Sequence, residues 1–89
     1  LLKGIFKKDS MPAPDKLSQL AVGEAARIVA VEGGGSMAIR LLEMGLTPGT
    51  RVQLVKRAPM GDPLEVQVRG YHVSLRRDEA HRVQIEGAA

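Results

Sequence analysis

The chain has 89 residues, with 13 Lys and Arg against 10 Asp and Glu for a formal charge of +3, no Cys, no Trp, one Phe and one Tyr. A polypeptide of this size buries only about 60 to 65 % of its unfolded surface, which limits it to one small core and disfavours a large internal active site. The lack of cysteine removes disulfides and thiolate metal sites, no apolar run approaches the ~20 residues that cross a bilayer, and two rings are too few for recognition by serial stacking.

Residues 1–14 contain three lysines and two prolines and read as a flexible tail, in which Leu1, Leu2, Ile5 and Phe6 set against Lys3, Lys7 and Lys8 form at most a short amphipathic segment. The folded unit is expected over 15–86, with 87–89 as a second tail. Asp15 to Gly23 places Leu17, Leu20 and Ala21 at helical spacing behind Asp15 as N-cap, a turn sufficient to plug a barrel end. Ala26 to Glu32 is short and rich in β-branched residues, and reads as a strand stopped by Gly33-Gly34-Gly35.

A helix follows from Ser36, its expected cap, to Met44. Met37, Leu41 and Met44 at i, i+4 and i+7 form its apolar face, flanked by Ala38 and Leu42, with Arg40 and Glu43 opposite. The strand, glycines and helix N-terminus resemble a phosphate loop only superficially, because GxxxxGK[ST] is absent and no lysine follows. Gly45 suits the left-handed helix stop and Pro48 prevents resumption of the helix. In Thr47-Pro48-Gly49-Thr50 the proline presets φ and the glycine accepts positive φ, the chemistry of a type II turn.

Arg51 to Arg57 and Leu64 to Arg69 then alternate apolar and polar residues with the period of half-buried strands, joined by the loop Ala58 to Pro63. Gly70 separates a third alternating strand, Tyr71 to Arg76. Asp78 to His81 reads as one capped helical turn and Val83 to Ile85 as a short last strand. About five short strands, one helix between the first and second, and short helical turns describe a mainly β protein, a small antiparallel barrel. The expected core is Ile28, Ala30, Leu41, Met44, Val52, Leu54, Val66, Val68, Val73, Leu75, Val83 and Ile85.

Leu17-Ser18-Gln19-Leu20 with Gly23, Arg40-Leu41-Leu42-Glu43-Met44-Gly45-Leu46-Thr47-Pro48-Gly49-Thr50, and Pro59-Met60-Gly61-Asp62-Pro63 resemble the FeoA family of ferrous-iron transport accessory proteins. The resemblance runs from about Leu17 to Glu86. It implies an SH3-like barrel, a cytoplasmic location at the inner face of a bacterial membrane, and association with the membrane-embedded GTP-hydrolysing permease FeoB. Such domains also form the C-terminal part of iron-dependent repressors, which gives an alternative reading as a regulatory domain related to metal-dependent DNA-binding proteins. The Gly33 to Gly35 loop and the basic tail depart from the family pattern.

For catalysis the chain offers little. Ser10, Ser18, Ser36 and Ser74 lack a context that sets a histidine beside them, and His72 and His81 are the only imidazole bases. Neither a catalytic residue nor a cofactor is therefore assigned. His72 and His81, near Asp78 and Glu79, are weak metal candidates because a preformed site needs three or four ligands at set distances. Arg51, Arg57, Arg69, Arg76, Arg77 and Arg82 could form a basic patch for nucleic acid, but interleaved aromatics are missing and acids dilute the charge, so no nucleic acid is expected. A proline-rich ligand is rejected because Tyr71 alone cannot build an aromatic groove. What remains is a protein-binding module whose surface draws on Arg40, Glu43, Met44, Leu46, Arg57 and Met60, with Gly45, Pro48 and Gly49 shaping the backbone. Leu46 must either plug the barrel or meet a partner.

Overall fold

The computed structural model describes residues 14–87. The basic tail, with its amphipathic opening, lies outside them up to residue 13. A 3-10 turn, Leu17–Gln19, leads to β1 (Ala25–Val31), α1 (Gly35–Glu43), β2 (Arg51–Arg57), β3 (Leu64–Val68), β4 (Tyr71–Leu75), α2 (Arg77–His81) and β5 (Val83–Gly87). The strands form one antiparallel sheet in the order β4-β3-β2-β1-β5, so β2, β3 and β4 are a meander and the last strand returns beside the first. This is the small mainly β barrel read from the alternation, with α1 between β1 and β2.

Alternation fixes the register because a one-residue slip would turn every apolar side chain to solvent. Val52 faces both Ala26 on β1 and Val68 on β3, and Ile28 faces Ile85. These side chains, with Leu54, Leu64, Val66, Leu75 and Val83, form one continuous core. Leu41 enters it from α1, Ala80 from α2, and Leu17 and Leu20 close one end.

Three residues assigned to the core are only half-buried: Ala30, Met44 and Val73. Ala30 is displaced by a register shift after Ile28, which brings it opposite Gln84. Met44 is the C-cap of α1, where the helix leaves the barrel wall, and Val73 lies on β4 at the sheet's edge.

Two helix starts also differ from expectation. The N-cap of α1 is Gly34, with no side-chain cap, so Ser36 lies inside the first turn rather than at its boundary. Near the N-terminus only a 3-10 turn forms, capped at Lys16, and Leu20 is already extended. Gln19 Oε1 accepts from the backbone N–H of Asp15 and Lys16 (2.9 and 3.1 Å), while Arg57 Nη2 donates to the carbonyls of Ser18 and Leu20 (2.7 and 2.8 Å). Ala21 N donates to Glu24 Oε1 (2.8 Å) in place of a carbonyl one turn back, so the backbone ladder stops at Leu20.

Candidate partner-binding site

The segment Met44 to Thr50 sets the geometry of the candidate site. Gly45 has φ +102° and its amide closes on Leu42, ending α1 as its sequence position requires. A Cβ on this residue would stand 2.7 Å from Tyr71 Oη, so the missing side chain also makes room for the ring from β4. In the next turn Thr50 N donates to Thr47 O (3.1 Å) with Gly49 at φ +90°, as a type II turn demands.

Leu46 is completely buried and belongs to the core. Of the two roles open to it, plugging the barrel is the one it takes, and it presents no surface to a partner. Met44 is half-buried against the core, whereas Arg40 and Glu43 are exposed on α1. Two neighbours outside the sequence-derived set complete this face: Ile39 is 57 % exposed and Leu42 37 %. Ile39 falls opposite the Met37, Leu41, Met44 stripe, a signal already present in the spacing, whereas Leu42, expected to flank that stripe, is left at its open edge. The outside of α1 thus carries two large aliphatic side chains flanked by Arg40 and Glu43.

Arg40 has a second attachment. Its Nη2 is hydrogen-bonded to Glu79 Oε2 in an ion pair, and Glu79 is the one buried charged residue among the described residues. The other oxygen, Oε1, accepts from Arg76 N at the start of α2 (2.8 Å). Arg77 N in turn donates to Asp62 Oδ1 of the β2–β3 loop (3.0 Å). A chain of polar contacts therefore ties α1 through α2 to the loop that carries Met60, which is 88 % exposed. Arg57 is half-buried and grips the 3-10 turn, so its guanidinium is structural.

The histidines stand apart from one another. His72 Nδ1 lies 2.7 Å from Glu65 Oε2 on the outside of β3 and β4, and His81 Nδ1 lies 3.1 Å from Ser18 Oγ, so the fold sets beside this serine a histidine that its sequence context does not. Among the described residues no three His, Asp or Glu side chains converge as metal ligands. Glu32, at the end of β1, is bonded to Lys16 Nζ (2.6 Å) and to Gln84 Nε2. The hydrogen bond from Lys16 first, then that from Gln84, lowers its carboxyl pKa from the ordinary 4.5.

The six arginines considered as one basic patch do not form one. Arg76 and Arg77 lie at the start of α2 and Arg82 just after it, in an open groove they share with Asp62, Asp78 and Glu79. Arg57 faces the 3-10 turn, and only Arg51 and Arg69 remain together on the opposite part of the sheet.

A five-stranded antiparallel barrel with α1 inserted between its first two strands defines a small SH3-like domain. The chain belongs to the FeoA family: the FeoA domain model matches residues 16–87. It is 42 % identical over 71 residues to an Fe(2+) transport protein A/Fe(2+) transporter FeoB fusion protein of Porphyromonas gingivalis, covering 80 % of this chain but only 8 % of that relative's length. A FeoA-like protein from Clostridium acetobutylicum superposes with a TM-score of 0.79 at 26 % identity, over 89 % of this chain and 92 % of that one. The Stenotrophomonas maltophilia FeoA, a prokaryotic SH3 domain protein crystallised with zinc, gives 0.72 at 34 % identity over 82 and 91 %. Part of a manganese-dependent transcriptional repressor shares the fold alone, at 15 % identity, a TM-score of 0.76, and coverage of 88 % of this chain and 38 % of that one.

Proposed function

We propose that this chain is a non-enzymatic cytoplasmic accessory protein of ferrous-iron uptake that binds the cytosolic part of a FeoB-type GTPase permease and is recruited by it to the inner face of the membrane. The observation that carries the reading is the Porphyromonas gingivalis relative, in which a FeoA segment and FeoB are one polypeptide. Tethering supplies a high effective concentration, of order mM for a short flexible linker, so even a weak docking contact is occupied there. Docking itself needs a surface, and the outside of α1, with Ile39 and Leu42 beside Arg40 and Glu43, suits that task. Met44 and Met60 add flexible apolar contact at its margins.

Iron is the transporter's cargo in this reading, and the domain acts on the transporter. It biases the permease only as far as its affinity differs between two permease states. The test is an NMR titration of the labelled chain with the soluble cytosolic portion of the permease, with and without guanine nucleotide. Shifts are expected from Ile39 to Gly45 and at Met60. A titration that leaves all of these unmoved overturns the docking surface.

A further inference from the structure

A row of three arginines crosses the sheet at the edge of the Pro48-Gly49 turn. Arg27 on β1 is directly opposite Arg51 on β2, and Arg69 follows Val68, the β3 partner of Val52, as the first residue of the β3–β4 turn. All three are exposed, Arg27 and Arg51 on the face opposite Ala26, Ile28 and Val52. Like charges directly opposite one another on a sheet are unfavourable. Among the described residues no carboxylate lies within ion-pair distance of any of the three, although Glu86 is in register with Arg27 from β5.

The outer two guanidinium groups are nevertheless held in place by neutral acceptors of the turn. Arg27 Nη1 donates to Gly49 O (3.1 Å), and Arg69 Nη2 donates to Thr47 Oγ1 (2.9 Å) and Thr50 Oγ1 (3.2 Å). Arg69 opens the tight β3–β4 turn at φ +53°, and its two bonds place its guanidinium at Thr47 and Thr50. These contacts orient the cations without neutralising them and leave most of their N–H donors open.

We propose that the Arg27, Arg51, Arg69 row is a docking site for an acidic helix of a partner protein. Neighbouring strands are about 4.8 Å apart, so arginines on β1, on β2 and just past the end of β3 span about 10 Å. Carboxylates at i, i+4 and i+7 of a helix span about the same length with neighbouring side chains 5–6 Å apart. An extended acidic segment presents carboxylates on one face every ~6.7 Å, which falls out of step by the third position. Guanidinium forks suit bidentate pairing with each carboxylate. The row adjoins the end of α1, where Arg69 lies beside Gly45, while Arg27 and Arg51 stand on the sheet away from Ile39 and Leu42; the proposal does not depend on the permease reading.

The test is an NMR titration of the full chain with an alanine-based helical peptide carrying glutamates at i, i+4 and i+7, against a peptide of identical composition whose glutamates are scattered round the helix. Shifts of the Arg27, Arg51 and Arg69 Nε–Hε signals with the aligned peptide, weakened about two- to fivefold by Arg51→Gln, support the proposal. Because Arg51 faces Arg27, the same variant should melt no lower than the parent, which separates a binding role from a structural one. Arg27→Gln serves as a second variant with the same expected loss. Equal binding of the scattered peptide, no shift with the aligned one, or stronger displacement by phosphatidylglycerol vesicles or a single-stranded oligonucleotide at equal charge overturns it.

Discussion

The Tyr71 hydroxyl donates to Met44 O across 2.7 Å, so the lone tyrosine of the chain fastens the edge strand β4 to the last carbonyl of α1. Helix C-termini leave carbonyls without intrahelical partners, and this contact satisfies one of them. The residue between, Gly45, permits the approach because any Cβ there would collide with the hydroxyl.

Tyr71→Phe is expected to lower stability by about 0.5–1.5 kcal/mol, the net value of one hydrogen bond. Gly45→Ala costs more, at least ~1–2 kcal/mol, because it adds a side chain at φ +102° as well as the collision. In the double variant part of the second cost disappears, since Phe has no hydroxyl to strike. Urea unfolding of the four proteins measures this coupling.

The Arg40–Glu79 pair is asymmetric: the Arg40 side chain is 60 % exposed and that of Glu79 8 %. Arg40→Ala leaves a buried carboxylate with one partner fewer and should cost about 1–3 kcal/mol. Adding Glu79→Gln to Arg40→Ala removes the charge and should restore part of that loss. A deficit in partner binding seen with Arg40→Ala therefore mixes folding with contact, whereas Glu43→Lys or Met60→Glu should change stability by less than ~0.5 kcal/mol and report on the surface alone.

Arg57→Lys retains the charge but replaces the guanidinium that spans two carbonyls, Ser18 O and Leu20 O, with a single ammonium. A loss of about 1–2 kcal/mol is expected. Amide hydrogen exchange should show it as faster exchange confined first to the 3-10 turn.

Glu32 gives a pH dependence of definite sign. Its carboxyl pKa is lower in the folded chain than the ordinary 4.5, chiefly through the Lys16 hydrogen bond, so its contribution is fully present above that value and is lost as pH falls through the folded value. The stability difference between the parent and Glu32→Gln should be greatest above pH 4.5 and shrink at more acid pH in chemical unfolding curves.

The barrel was legible wherever a rule of period two or 3.6 applied. Val52, Leu54, Val66, Val68 and Leu75 are buried as their alternation requires, and Gly45 and Gly49 take the positive φ that their turns demand. Leu46 was ambiguous because a loop has no period to show which way a side chain points; only the fold reveals that it closes the core. The same holds for Leu17 and Leu20, whose burial was foreseeable but whose 3-10 turn is gripped by Arg57 from β2. Pairings such as Arg40 with Glu79 and His72 with Glu65 join residues on different elements and follow from register and packing. Ile39 could have been found, since its spacing puts it opposite the buried stripe, whereas Leu42, read as flanking that stripe, is left 37 % exposed by the packing.

On the ribosome, β1 emerges before every other strand, yet one of its two hydrogen-bonding edges is occupied by the last strand, Ile28 opposite Ile85. Contacts of such long sequence separation slow folding because the loop must close before the pairing rewards it. Until residues 83–87 are free, β1 offers an unpaired edge and Ile28 lacks its facing side chain, so a nascent chain stopped before β5 is the species most open to aggregation and proteolysis. The sealing of the barrel is accordingly a late event in biogenesis, governed by the arrival of five residues at the far end of the described chain.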